Sequence, residues 1–303
     1  MRLLLVDGHY YAYRSFFAIQ GLKNSKGEPT NAVFGFVKAL RKMLADAAPD
    51  LAAVVWDAGL PERRMELLPS YKQQRDETPS DLEAQFPVIE EAVAALGAHN
   101  VSLKGHEADD LIAAYAAAAR RENVEVVIAT NDKDIYALVG EGVSIYTTNK
   151  SDLGDAKSGF ALLGAAEVET KWGVPPEHIP DVLALTGDSA DNIPGVEGVG
   201  PKTAAKLVLE HGSAAALLGD TAAIKNEKLR TKIEAAAQRV RDNMELVRLD
   251  AELPLPVAVG DLLIAPEPAA MVALARKCEF RSLLAEYEKL LAKGAGSGQG
   301  ELF

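Results

Sequence analysis

Cysteine is almost missing from this chain of 303 residues, and a lone Cys278 excludes an internal disulfide framework and any cysteine-rich zinc site. Flanked by Lys277 and Glu279 near an apolar helical stripe, it reads as an inert, partly buried thiol. Long apolar runs are missing as well. None approaches the ~20 residues a membrane-spanning helix needs, and the amino terminus enters a strand pattern directly instead of presenting a signal peptide. Positive charge is scarce: 32 Lys and Arg stand against 44 Asp and Glu, for a formal net charge of −12. Such a balance opposes indiscriminate binding to nucleic acid, unless basic residues are gathered locally or part of the acid is reserved for metal. What remains is 48% hydrophobic with a mean hydropathy of −0.01, enough for a substantial core in one large domain or two smaller ones. A soluble, globular protein of the cytoplasm is the simplest reading.

The acids are not scattered. Asp7, Asp57, Glu107 with Asp109 and Asp110, Asp132 with Asp134, and Asp188 with Asp191 form short clusters, most of them where an apolar run stops. Arg2–Val6 runs into Asp7, Ala52–Trp56 into Asp57, and Glu125–Ala129 into Thr130, Asn131 and Asp132. These runs are short, rich in β-branched residues and unalternating, which suits strands buried on both faces of a parallel sheet. Between them, Val33, Phe36, Val37, Leu40, Met43, Leu44 and Ala47 make one helical stripe, and Leu82, Phe86, Ile89, Val93 and Leu96 another. The fold class is therefore α/β, a mostly parallel sheet flanked by helices, with ligands beyond the carboxyl ends of the strands.

Each cluster alone has an ordinary explanation: acids in the first turn after Glu107 complement a helix dipole, and Asp132-Lys133-Asp134 fits a solvated turn. Their coincidence with the sheet edge where such a fold places its chemistry shifts the balance toward metal, because neighbouring carboxylates raise one another's pKa values or demand cations. The basic counterpart lies at Gly195–Lys206. Gly198 and Gly200 allow a tight turn, Pro201 suits the first position of a helix that stops at Gly212, and Lys202, Thr203 and Lys206 flank its amino terminus. That arrangement can hold a phosphodiester backbone without reading bases, although a plain helix connection has the same outline.

Leu5-Val6-Asp7-Gly8, Tyr13-Arg14, Tyr71-Lys72-Gln73-Gln74-Arg75, Glu107-Ala108-Asp109-Asp110, Thr130-Asn131-Asp132-Lys133-Asp134 and Thr186–Gly195 follow one another along the chain. In that order and spacing the sequence closely resembles the bacterial 5′-to-3′ exonuclease family, the amino-terminal nuclease domain of DNA polymerase I and its stand-alone relatives, akin to flap endonucleases. The resemblance runs from about Met1 to Leu291. It implies a helical arch over the active site and a helix-hairpin-helix-like element that grips duplex DNA. It places Asp7, Asp57, Glu107, Asp109, Asp110, Asp132, Asp134, Asp188 and Asp191 at metal-site positions. Tyr71, Lys72 and Arg75 fall in the arch motif, and Arg14 beside the first strand. Gly198, Gly200, Lys202, Thr203 and Lys206 fall in the hairpin. Arg64 fits the family pattern as a DNA contact, whereas Arg63 departs from it, the family usually having an aromatic there.

Chemistry follows from these residue types. Two Mg²⁺ or Mn²⁺ ions suit such oxygen ligands, with Asp7, Asp109, Asp110 and Asp132 as the inner group. Glu107, Asp134, Asp188 and Asp191 bind directly or through water, and Asp57 acts indirectly. The nucleophile is water, since no Gly-x-Ser-x-Gly elbow occurs and Cys278 lies outside every cluster. Lys72, Arg75 and Arg14 offset charge on the phosphate. The implied activity is metal-dependent 5′–3′ exonuclease and 5′ flap endonuclease cleavage of DNA with a 5′ end, nick or flap, and of RNA primers on DNA, in replication and repair. A structure-specific DNA-binding protein without hydrolysis is the alternative. By chain order the division is 1–172 for the nuclease core with its arch, 173–291 for the hairpin and carboxyl-terminal helices, and 292–303 for a flexible tail. No polymerase pattern follows within these residues, which suits either a stand-alone nuclease or an excised domain, and the Gly-Ser-rich finish leans toward a natural end. The last residues, Gln299–Phe303, resemble the short peptides by which bacterial replication proteins dock on the sliding clamp.

Overall fold

The computed structural model describes residues 1–153 and 159–296, with side chains described as far as 293. Along the chain, β1 (Arg2–Asp7), α1 (Gly8–Ala18), α2 (Asn31–Ala47) and β2 (Leu51–Trp56) come first. The short α3 (Glu62–Leu67) and α4 (Ser80–Glu83) precede α5 (Phe86–Ala95), β3 (His99–Ser102), α6 (Ala108–Arg121) and β4 (Glu125–Ala129). Next are β5 (Val143–Thr147), α7 (Lys150–Leu153), β6 (Ala161–Leu163), α8 (Ala165–Trp172) and α9 (Ile179–Thr186). The two-residue strands β7 (Gly187–Asp188) and β8 (Ile193–Pro194) lead to α10 (Pro201–His211) and α11 (Ala214–Gly219). The described chain closes with α12 (Glu227–Ala235), α13 (Ala237–Leu246), α14 (Pro268–Lys277) and α15 (Arg281–Gly296). The carboxyl-terminal residues are thus helical as far as Gly296, beyond the 292 at which the sequence suggests a flexible tail. Gln299–Phe303 lies outside the described residues.

Packing divides the chain into two compact units that interleave in sequence: Met1–Trp56, Thr78–Ser102 and the chain from Leu255 make the first, Asp57–Glu77 and Leu103–Pro254 the second. In the first, β1 and β2 run parallel with Leu3 opposite Leu51, and β2 and β3 run parallel with Ala53 opposite His99. Leu3–Val6 and Leu51–Val55 are all buried, which is why their sequence shows no alternation. In the second, β4 and β5 are parallel with Val126 opposite Val143, and β6 pairs antiparallel with β5. The architecture is α/β, its strands mostly parallel and flanked by helices, as the apolar runs predict.

Two differences have simple causes. The stripe from Leu82 to Leu96 is broken into α4 and α5, because Pro87 lacks an amide hydrogen and is tolerated only in the first turn of α5. β3 escapes notice because His99, Asn100 and Ser102 are polar and only Val101 is buried, the composition of a sheet edge.

Within the first unit, Gln85 is buried at 1% exposure and replaces the missing side-chain cap of α2. Its Oε1 accepts the Ala32 and Val33 amides at 2.8 and 3.2 Å. Its Nε2 donates to Asn31 Oδ1 at 3.0 Å and to the Asp81 carbonyl at 2.7 Å. Gln85→Ala strands these groups in a dry interior. It is expected to lower the unfolding free energy by about 3 kcal/mol in urea titrations, and an unchanged midpoint would exclude the cap role.

Candidate active site

Of the sequence-selected acids, all but Asp7 belong to the second unit. Glu107 is the N-cap of α6, in extended backbone, so the first turn of that helix carries Asp109 and Asp110. Asp57 is exposed and accepts the Ala108 amide at 2.7 Å, fixing the helix start. Burial of Leu111, Ile112 and Tyr115 on α6 drags Glu107 and Asp110 inside, to 3% and 2% exposure. Two ionised carboxylates cannot be buried together without cations.

Arg64 on α3 is one of those cations. Its Nη1 and Nη2 hold Asp110 Oδ2 and Oδ1 in a fork, both at 2.8 Å, and Nη1 also bonds Glu107. Nε donates to the Leu246 carbonyl at 2.9 Å and Nη2 to that of Arg248 at 3.1 Å. Burial works against the guanidinium charge, but Asp110, Tyr71 and Glu107 more than offset it and hold its pKa above the ordinary value. Arg64, which the family pattern offers as a DNA contact, is thus buried and occupied with protein acceptors.

Lys72 is the second cation. Its Nζ bonds Glu107 and lies 3.6 Å from Asp191 Oδ2, and its amide donates to the Asp191 carbonyl at 3.1 Å. Burial lowers the ammonium pKa, yet Glu107 and Asp191 outweigh it and raise the net value. Tyr71, also buried, brings its hydroxyl within 3.1 Å of Asp191 Oδ2 and 3.2 Å of Glu107 Oε2. Burial first, then both acids, push that phenol far upward, so it stays a donor. Arg75 is half exposed and reaches Asp191 Oδ1 at 2.8 Å. In the region the resemblance assigns to an arch, α3 is the one helix, and turns carry Tyr71, Lys72 and Arg75 onto the acids.

Asp188 and Asp191 reach the same place through a hairpin. β7 and β8 pair antiparallel, Asp188 opposite Ile193, with Asn192 in the left-handed region at φ 60°. The approach is so close that a Cβ on Gly187 would meet the Ile193 carbonyl oxygen at 2.3 Å, and Gly187 itself has φ +71°. The Asn192 side chain ties this hairpin to the Ser70 carbonyl at 2.7 Å, and Gln74 ties to the Ser189 carbonyl at 2.5 Å.

Beyond β4, Asp132 Oδ1 accepts the Asp134 amide at 2.9 Å. Asp134, Asp188 and Asp191 each offer an oxygen, all within 4.8 Å of one another. Lys133 neutralises one of them, its Nζ 2.5 Å from Asp188 Oδ1. Asp134 Oδ1, in contrast, is buried with no hydrogen-bond partner among the described residues. Burial, then Asp132, Asp188 and Asp191, raise the Asp134 pKa well above the carboxylate range. Burial chiefly raises that of Asp132 too, against the amide of Asp134. An orphaned anionic oxygen ringed by other carboxylate oxygens fits a hard divalent cation. The tightest group is therefore Asp134, Asp188 and Asp191, whereas Asp110, assigned to the inner set by residue type, is bound by Arg64.

The hairpin element is formed as its glycines suggest. α10 starts at Pro201 with Gly200 as N-cap and no acid in its first turn, and ends against Gly212. Lys202 and Lys206 are exposed and Thr203 is half-buried, while Gly198 sits at φ +77° beside Lys232 Nζ. In the first unit, Asp7 caps α1 by accepting the Tyr10 amide at 2.9 Å, and Arg14 lies over the Tyr11 ring. The sequence reading missed Lys133, although its place between two acids was a signal.

Repulsion within the Asp134 group predicts a trade. In chelator near neutral pH, Asp134→Asn is expected to raise the unfolding free energy by about 1 kcal/mol, because an amide is spared both the burial of a charge and the proton uptake that the raised Asp134 pKa demands on folding. The stabilisation that Mn²⁺ gives the parent should largely vanish; a variant stabilised by Mn²⁺ as much as the parent would exclude Asp134 as a ligand.

Two family models match in sequence order: the 5′-3′ exonuclease N-terminal resolvase-like domain over residues 2–173, and the 5′-3′ exonuclease C-terminal SAM fold over 174–269. The chain is 35% identical to a 5′-3′ exonuclease of Aquifex aeolicus, over 97% of both chains. It is 41% identical to thermostable DNA polymerase I of Thermus thermophilus, over 96% of this chain and 34% of that protein. It thus spans about a third of the length of the polymerases it matches. Among solved structures, a T5 5′-exonuclease with bound zinc superimposes with a TM-score of 0.67 at 21% identity, covering 97% of this chain and 99% of that one. The catalytic core of Rad2 in complex with DNA substrate gives 0.62 at 15% identity, covering 94% and 92%. These two show a shared fold. By its family models and its full-length similarity to the Aquifex protein, the chain belongs to the 5′-3′ exonuclease family.

Proposed function

We propose that this protein is a divalent-metal-dependent nuclease that hydrolyses phosphodiester bonds at the 5′ side of DNA, at a 5′ end, a nick or a flap. The observation that carries the reading is the Asp134, Asp188 and Asp191 group with its orphaned oxygen, built in one unit with Lys72 and Arg75. A binding-only protein would gain nothing from buried, mutually repelling carboxylates.

Asp132, Asp134, Asp188 and Asp191 would hold Mg²⁺ or Mn²⁺, two ions in the working site, with Glu107, Asp109 and Asp110 beside them on α6 and Asp57 fixing that helix. The family motif alone adds Asp7 and Arg14. Bound there, the ions supply Lewis-acid stabilisation of the attacking and leaving oxygens of an in-line displacement. Arg75, half exposed at the rim, and Lys72 offer positive charge to the phosphate, Lys72 by exchanging Glu107 for it. Tyr71 holds Asp191 in place through its protonated hydroxyl. Gly198, Gly200, Lys202, Thr203 and Lys206 grip the duplex backbone, where exposed lysines at an acid-free helix amino terminus suit phosphate. Arg64 contributes by holding Glu107 and Asp110 in place. Primer removal and repair in the cytoplasm, RNA at the 5′ end, and docking of Gln299–Phe303 on a sliding clamp complete the reading.

On 5′-labelled flap and nicked duplexes, cleavage is expected with Mg²⁺ or Mn²⁺ and none in chelator, with binding retained. Cleavage that survives chelation would end the metal-dependent reading. Lys72→Ala should lower kcat by about 100-fold with little change in KM, whereas a loss confined to KM would contradict its role at the phosphate. Lys202→Ala should weaken duplex binding and reduce the slope of log K against log salt by about one, and an unaltered slope would remove it from the backbone contacts.

A further inference from the structure

A cleft of about 380 Å³ opens in the second unit behind the Arg64 fork. Its size falls among small-ligand sites, which span about 300 to 1,000 Å³. Leu60 and Pro61 are the apolar part of its lining, and Arg63, Lys104, His106 and Arg248 supply cationic and imidazole groups. Neither Lys104 nor Arg248 forms a side-chain ion pair with any described residue, and both are exposed. Of the four lysine and arginine side chains in the lining, these two are thus available to a ligand at a concave surface. Three acids share the lining: both Asp110 oxygens are held by Arg64, an Asp250 oxygen accepts the Glu252 amide at 3.0 Å, and Glu62 is exposed in the first turn of α3. Arg63 is shared with the exposed Glu245, a pairing that water-exposed groups give up readily. Leu60 is 43% exposed, an apolar surface without a protein partner to explain it.

Cations together with apolar Leu60 and Pro61 in one lining suit an amphipathic anion, one whose phosphate meets the lysine and arginine while its organic body covers Leu60 and Pro61. We infer that this cleft binds a nucleotide through its phosphate, the ligand being either the 5′-terminal nucleotide of a strand or a free nucleoside 5′-monophosphate. The nuclease reading supplies the identity of the ligand, since such a phosphate is what 5′ hydrolysis leaves and releases. The cleft also shares the Arg64 and Asp110 pair with the acidic site, and the Arg248 carbonyl accepts from Arg64.

The full chain in chelator is titrated calorimetrically with deoxyadenosine 5′-monophosphate and, separately, with deoxyadenosine. The monophosphate is expected to bind and the nucleoside to bind at least about tenfold more weakly, and the Lys104→Gln/Arg248→Gln variant should lose about tenfold or more for the monophosphate alone. Absence of monophosphate binding, equal binding of nucleoside and monophosphate, or a variant that binds like the parent would overturn the assignment. Short single strands with 5′-phosphate or 5′-hydroxyl ends separate the sources. A preference for the phosphorylated strand that disappears in the variant assigns the cleft to strand ends, and indifference of the strands beside mononucleotide binding assigns it to the free product. Both substituted residues are exposed, and a matching thermal melt verifies the fold. Mg²⁺-supported cleavage of a 5′-hydroxyl flap should be the same in parent and variant. A parent that binds the monophosphate but does not cleave would count against the nuclease reading alone.

Discussion

Buried carboxylates need cations, and most of what surrounds the site follows from how this need is met. Glu107 and Asp110 are satisfied from within, by Arg64 and Lys72, and Asp188 by Lys133. The Asp134 oxygen is left without such a partner. Internal cations thus meet most of this electrostatic demand inside a single unit, Asp191 being paired with Arg75 as well, and the buried Asp134 oxygen is the point at which they fall short. Arg64 belongs to the first kind. A planar guanidinium with five donors can serve two carboxylates and two carbonyls at once, which an ammonium cannot.

Placement of the acids depends on backbone features more than on the acids. Asp188 and Asp191 are three residues apart, and they meet Asp134 because a tight hairpin turns between them. Its geometry requires Gly187 at positive φ and tolerates no Cβ there. Glu107 and Asp110 are buried because the apolar stripe of α6 is, and the Asp57 cap fixes where that helix begins. The segment from Ser70 to Arg75 is fastened to the hairpin by main-chain and amide bonds, so the basic residues and the acids move as neighbours. Positioning residues such as Asn192 and Gln74 contribute no charge, yet they set the distance between the charged groups.

The strand runs ending at Asp7, Asp57 and Asp132 were legible because strands buried on both faces have nothing to alternate with. α2, α6 and α10 were legible from a continuous stripe or from Pro201 and Gly212. β3 was not, since an edge strand carries little apolar signal, and neither was the break at Pro87, which the stripe alone runs straight through. Of the site, the order of the acids along the chain could be read, as could the run of Tyr71, Lys72 and Arg75 that reaches Glu107 and Asp191. Which acids would be paired with protein cations could not. Asp110 looks from the sequence like the other acids, and only the fold brings Arg64, 46 residues earlier in the chain, onto its carboxylate.

The cleft beside Arg64 belongs wholly to the second category, because Leu60, Lys104 and Arg248 come from loops with no shared pattern in the sequence. Sequence by itself determined the chemistry available: oxygen donors in quantity, a few placed cations, glycines where chains cross, and a family order. Tertiary structure alone decided which charge neutralises which. Electrostatic partnership depends on separation and burial, and both are set by packing between segments far apart along the chain, which no local spacing encodes.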